Sequence, residues 1–254
     1  MNDDPMKRTV LLTGAAGRIG SDFHQDTATR YRFRLADLRT DSLEGASAGG
    51  HEVVELDVRD LEACRAACAG IDTVVHLAAD PSPEADFLDS LLETNIVGTY
   101  NIFRAAADQA CRRVVFASSI QVVEGYPLDR QLTTSAPVRP RNMYGASKCF
   151  GEAVAAVFAH SGGLSAIAVR IGHYGEFAPG ERYTARDMSA YLSRRDMVQL
   201  LTQCIDVDGI GFTIVHGVSD NRFKRLDLSD THALLDYHPQ DDAFAILGVE
   251  WEEE

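Results

Sequence analysis

Residues 9–20 read TVLLTGAAGRIG. Thr9–Thr13 is a short apolar run without alternation, the pattern of a strand covered on both faces. Gly14, Gly17 and Gly20 interrupt it, and from Arg18 to Thr29 the pattern predicts a helix. Glycines at such a turn let the backbone reverse tightly and approach a ligand, and the helix N-terminus offers free N–H groups with partial positive charge. A glycine-rich string is weak evidence by itself. Its place between the first strand and the first helix gives it weight, and it predicts that Gly14, Gly17, Arg18, Ile19 and Gly20 cradle a pyrophosphate.

Outward from this segment, strand and helix patterns alternate. Strands are predicted at 31–36, 52–56, 73–77, 113–117 and 165–171, with helices at 61–69, 87–108 and 144–159. Buried strands rich in branched residues, separated by helices, imply a parallel sheet covered on both faces. The fold class is therefore α/β, a doubly wound Rossmann-type sheet over residues 1–172. After Gly172 the pattern loosens into a helix at 193–204, a strand at 211–216 and a short helix at 230–236. Residues 173–254 read as a small C-terminal substrate-binding lid, with parts of the region continuing the first domain. Its modest length favours a small substrate over a nucleotide sugar.

Composition narrows the function. A formal charge of −14 over 254 residues repels phosphate backbones, so nucleic acid is a poor partner. No apolar run approaches the roughly 18 residues of a membrane span, and nothing at the start reads as a signal peptide. Five cysteines without a C-x-x-C pair fit a reducing, cytoplasmic setting. Cys64 and Cys68 read as buried packing residues and His76 as a core histidine. No ligand spacing suggests a metal site. Glu252–Glu254 reads as a solvated tail.

Asp37 ends the second strand, twenty-three residues after Gly14. A carboxylate there can accept both hydroxyls of an adenosine ribose and repel a 2′-phosphate, so the expected cofactor is NAD. Asp57, after the third strand, is placed to reach the adenine amino group. Tyr144 and Lys148 lie four apart within a predicted helix and so share a face. An ammonium beside a phenol favours the phenolate, which would make Tyr144 a base. Ser119 ends the fifth strand, where ligands approach a parallel sheet, and would hold the reacting oxygen against Tyr144.

The glycine turn, Ser118-Ser119, Tyr144-x-x-x-Lys148 and Asn95-Ile-Val-Gly98-Thr resemble the extended short-chain dehydrogenase/reductase superfamily. Within it the chain is most similar to the uronate dehydrogenase group and its haloarchaeal relatives that oxidise glucose 6-phosphate with NAD. The strings that carry this are Tyr144-Gly-Ala-Ser-Lys-Cys-Phe-Gly-Glu152, Val169-Arg-Ile-Gly172, Tyr191-Leu-Ser-Arg-Arg-Asp196 and Gly217-Val-Ser-Asp-Asn221. The resemblance implies Tyr144 as base, Ser119 as its proton-relay partner and Lys148 as its activator. It places Leu77, Ala78, Ala79 and Ile171 around the nicotinamide side of the cofactor, with Leu38, Val58 and Asn95 also on the cofactor. It faces Ser82, Ile120, Gln121, His173 and Arg186 toward a sugar, Arg186 matching an arginine that grips a carboxylate in the uronate enzymes. It also implies a homo-oligomer.

One departure stands out. The family has Asn-His after the serine pair, and here Ile120 and Gln121 stand in its place, so the polar pattern facing the substrate differs. Gly175–Asp187 is also a few residues longer than its counterpart. The expected reaction is oxidation of a C1 hydroxyl in a uronate, aldose or sugar phosphate to a lactone. The alternatives are a nucleotide-sugar epimerase or dehydratase, and a non-catalytic dinucleotide sensor.

Overall fold

A computed structural model describes residues 7–177 and 182–249. The terminal Glu252–Glu254 and residues 178–181 of the long Gly175–Asp187 segment lie outside the described residues. In chain order the elements begin β1 (Thr9–Thr13), α1 (Arg18–Thr27), β2 (Arg32–Asp37), α2 (Glu44–Ala48), β3 (Glu52–Glu55), α3 (Leu61–Cys68) and β4 (Thr73–His76). A π-helical stretch, Phe87–Val97, then runs into α4 (Gly98–Asp108), followed by β5 (Arg113–Ser119), α5 (Met143–Gly162) and β6 (Ser165–Ile171). The chain continues through β7 (His173–Tyr174), α6 (Ala185–Ser189), β8 (Tyr191–Leu192), α7 (Arg194–Asp206), β9 (Phe212–Gly217), α8 (Ser229–Leu235) and α9 (Ala243–Ile246).

Seven strands form one parallel sheet in the order β3-β2-β1-β4-β5-β6-β9. The order reverses at β1, and ligands of doubly wound sheets bind outside the carboxyl ends of the strands at such a point. Register aligns those ends: Thr13 opposite both Ala36 and His76, Ser119 opposite Ile171, Ile171 opposite Gly217. Successive strand residues feed opposite layers. Val10 and Leu12 pack with Phe23 and Phe33 on one side, while Leu11 packs with Val74, Ile102 and Phe103 on the other. Burial on both faces explains the uninterrupted apolar runs, each buried leucine contributing about 1.5–3 kcal/mol.

Two expectations are corrected. The expected 173–254 lid is smaller, because β9 pairs in parallel with β6 as the seventh strand. The intervening α7 lies beside α1, with Arg194 bridging to Asp22 and Asp26 at 2.9 and 2.7 Å. The apolar residues of β9 need a neighbour, and β6 otherwise presents an open edge. The part of the C-terminal region that continues the first domain, as expected, includes β9, and what caps the cavity mouth is the two-stranded β7–β8 pair with α6. The 87–108 stretch is helical throughout, but its first half is wound as a π-helix, which rotates the side-chain faces read off a 3.6-residue period.

His76 and His216 are buried in this core, and their ring Nδ1 atoms lie 2.8 Å from Thr13 Oγ1 and from the Asp227 carbonyl respectively. Burial, reinforced for His76 by Lys148, pushes their pKa down to about 3 and about 4. An unfolded imidazole takes its proton near 6.5, so below that pH the unfolded chain binds more protons than the folded one. Stability should therefore fall as pH drops from about 6.5 toward the folded values. Replacing His76 with Gln should flatten the decline of the denaturant midpoint between about pH 7 and about pH 5. An unchanged slope would remove His76 from the account.

Candidate active site

A cleft of about 990 Å³ runs along the carboxyl edge of the sheet. That is ample for a cofactor with a small second ligand, pockets for small molecules spanning roughly 300–1,000 Å³. At one end lie Asp37, Leu38, Asp57 and Val58, in the middle the glycine turn with Arg18 and Ile19, and at the other end the residues around Tyr144.

The turn is built for close approach. Gly14 has φ +70°, and a Cβ there would sit 2.7 Å from the Ala78 amide nitrogen. The N-cap of α1 is Gly17, which has no side chain to satisfy the first amides of the helix. The ten-residue helix thus points unsatisfied N–H groups into the cleft. Asp37 is oriented by accepting from the Ala16 amide at 2.9 Å. Asp57 is gripped by Arg59, whose Nε and Nη2 donate to it at 2.9 and 2.6 Å, and this pair holds its carboxyl below the usual range. Asp57 thus presents a carboxylate already paired with Arg59.

Helix α5 carries Tyr144 and Lys148. Asn142 caps it, accepting from the Gly145 amide at 2.7 Å, and the cap also donates to Gln121 Oε1 at 3.1 Å. Tyr144 lies in the first turn and Lys148 one turn later. The helix seats directly on β5 at Gly151, where any Cβ would collide with the Phe116 ring. Lys148 is buried, with Nζ 5.1 Å from the Phe116 ring centre and 5.6 Å from that of Tyr144. Burial lowers its pKa to about 8, which still leaves it protonated near neutrality. Ser119 faces the Tyr144 phenol and pulls its pKa down, and the Ser119 Oγ accepts from the Gln121 amide at 3.2 Å.

The expected acidification of Tyr144 by its ammonium neighbour is not found in this structure. Burial holds the phenol above its ordinary value, Ser119 opposes this, and Asp80 adds to it.

Leu77, Ala78, Ala79, Ile120, Gln121, Ile171, His173 and Arg186 line the same end of the cleft. Ser82 and Asn95 do not. The Ser82 hydroxyl donates to Glu84 at 3.1 Å, and Pro81 and Pro83 form that part of the wall. Asn95 is buried beneath it, accepting from the Asp80 amide at 2.9 Å and donating to the Asp80 carbonyl and Ser147 Oγ at 3.0 and 3.2 Å. It pins the β4 loop to α5, and the π-helical winding brings Thr94 to the cleft. Sequence reasoning missed Thr94, Arg59 and Glu124. Arg59 stands two residues after Asp57, a visible signal; Glu124 meets Arg186 across 62 residues and has none. Among the described residues, no group of three or more His, Cys, Asp or Glu could hold a metal, and no helix is long and apolar enough to cross a membrane. All five cysteines are free.

Residues 10–203 match the model of the NAD dependent epimerase/dehydratase family. The chain is similar to an NAD-dependent glucose-6-phosphate dehydrogenase of Haloferax volcanii, 36% identical over 252 residues covering 94% of this chain and 95% of the relative. It is also similar to an L-arabinose 1-dehydrogenase (NAD(P)(+)) of the same organism, 33% identical and covering 94% and 98% of the two chains. Among solved structures, uronate dehydrogenase from Agrobacterium tumefaciens superposes with a TM-score of 0.86 at 33% identity, covering 98% of this chain and 91% of that one. A Y136A variant of that enzyme has been solved in complex with NAD.

Proposed function

The chain belongs to the NAD dependent epimerase/dehydratase family, and from that premise we propose that it is a sugar dehydrogenase oxidising the C1 hydroxyl of a cyclic sugar to a lactone with NAD. One observation carries the reading: Ser119, Tyr144 and Lys148 meet at one end of a cleft that runs past the glycine turn to Asp37 at the other. The cradle at Gly14, the uncapped α1 amides and the oriented Asp37 carboxylate fit a dinucleotide. When bound, NAD supplies the acceptor for the hydride that leaves C1.

The chain's own residues supply the rest. Ser119 holds the C1 oxygen, and Tyr144 takes its proton as the carbonyl of the lactone forms. The buried Lys148 ammonium stabilises negative charge on the phenol, a stronger effect where water is excluded. Tyr144 on α5 and Ser119 at the end of β5 share the oxygen without moving, because α5 is seated directly on that strand.

The direct test is NADH formation with a panel of free aldoses, uronates and aldose phosphates. NADH accumulating with at least one supports the reading. UDP-sugar isomerisation without net NADH would instead make the chain an epimerase. Asp37 should favour NAD over NADP by about 100-fold or more in kcat/KM, since placing like charges together costs several kcal/mol. Asp37→Ser should narrow that ratio at least about tenfold; an unaltered ratio would show that Asp37 does not read the ribose.

A further inference from the structure

We propose that Glu124 is a specificity-determining residue that closes this site to anionic sugars and makes neutral aldoses its substrates. The inference rests on the dehydrogenase reading and deepens it. Arg186 on α6 lines the cleft beside His173 and Gln121. Its guanidinium is already forked: Nε donates to Glu124 Oε1 at 3.0 Å and Nη2 to Glu124 Oε2 at 2.9 Å. Nη1 lies 3.5 Å from Asp187 Oδ1. The side chains of the Arg186–Glu124 pair are only 18% and 15% exposed, so solvent does little to loosen it.

A planar fork is the geometry that grips a carboxylate or phosphate at two points. Here both points are occupied from within the chain. Of the cleft's other cations, Arg39 and Arg59 lie toward the Asp37 end and Lys148 beneath Tyr144, while the Arg18 guanidinium reaches across to β7, where Nη1 donates to the Tyr174 carbonyl at 3.1 Å. Arg225 stands nearby but is buried outside the cleft wall, donating to the carbonyls of Pro127 and Tyr126 at 2.9 and 3.0 Å. Beside His173 and Gln121 an anion therefore meets the Arg186 guanidinium already held by two carboxylates, and Arg18 already engaged with a backbone carbonyl.

A uronate or sugar phosphate would have to displace Glu124 or bring a third negative group to Arg186. A neutral sugar brings no charge and meets no such obstacle. Ile120 contributes an apolar wall, and Gln121, whose Oε1 accepts from Asn142, has only neutral amide donors to offer, which do not cancel the Glu124 charge. Specificity of this kind comes from an element that repels the wrong ligand.

The experiment measures kcat and KM with NAD for L-arabinose and D-galactose, for D-glucuronate and D-galacturonate, and for D-glucose 6-phosphate. Each is measured with the wild-type chain, Glu124→Gln and Glu124→Gly. The wild type should prefer the better neutral sugar over every anion by about tenfold or more in kcat/KM. Either variant should raise kcat/KM for a uronate or the phosphate by about tenfold or more, chiefly by lowering KM, while the neutral sugars change by less than about threefold. A wild-type preference for an anion would overturn the inference while leaving the dehydrogenase reading intact, and needs no variant. Unchanged anion kinetics in a folded Glu124→Gln protein would also overturn it. Absence of NADH with all five sugars would instead defeat the reading on which it rests.

Discussion

Tyr144→Phe is expected to lower kcat by about 10²–10⁴-fold, the range lost with a general base, while leaving the fold unchanged. Removing the phenol oxygen leaves α5 capped by Asn142 and seated on β5 at Gly151. Because burial keeps the phenol above its ordinary value, wild-type turnover should rise as pH increases, and the variant should lose that rise. NADH absorbance gives the rates and circular dichroism the fold. A folded variant retaining more than about a tenth of wild-type turnover would exclude proton transfer through Tyr144.

The second large effect falls on stability. Glu152→Ala should cost about 3–5 kcal/mol of unfolding free energy, because it strands a buried cation. Glu152 lies on α5 one turn beyond Lys148, and its carboxylate accepts from Arg170 Nε and Nη2 at 2.8 and 2.9 Å and from Ser118 Oγ at 2.6 Å. The two charged side chains are only 6% and 2% exposed. This cluster ties the catalytic helix to β5 and β6 at the strand ends that carry Ser119 and Ile171. Replacing both partners, as Glu152→Leu with Arg170→Met, should recover most of the loss, since the penalty belongs to the unpaired charge. Denaturant unfolding measures both. A loss below about 1 kcal/mol for Glu152→Ala would mean that Arg170 finds other solvation and that the cluster does not brace the site.

Local chemistry made much of this readable before any coordinates. Residues 9–20 announce a strand, a tight turn and a helix because each depends on neighbours in sequence, and Tyr144 and Lys148 share a face because helical spacing requires it. What depended on distant neighbours was not readable. The place of β9 in the main sheet is decided by the open edge of β6, more than forty residues earlier in the chain. The pairing of Glu124 with Arg186 spans 62 residues, so Arg186 read as an open anion grip. Asn95, set on the cofactor by resemblance alone, is instead held beneath the cleft wall by Asp80 and Ser147, partners that lie 15 and 52 residues away in sequence. The acidity of Tyr144 was misjudged because four-residue spacing reports proximity to Lys148 but not the desolvation that opposes it.

The most direct test of the central claim follows the hydrogen on C1. The best substrate of the sugar panel, deuterated at C1, is incubated with the chain and NAD, and the nucleotide and sugar products are analysed by mass spectrometry. The account predicts deuterium in the reduced nicotinamide together with one lactone for each NADH formed. Reduced nucleotide without deuterium, or a rearranged sugar that keeps its deuterium while NAD stays oxidised, would contradict it.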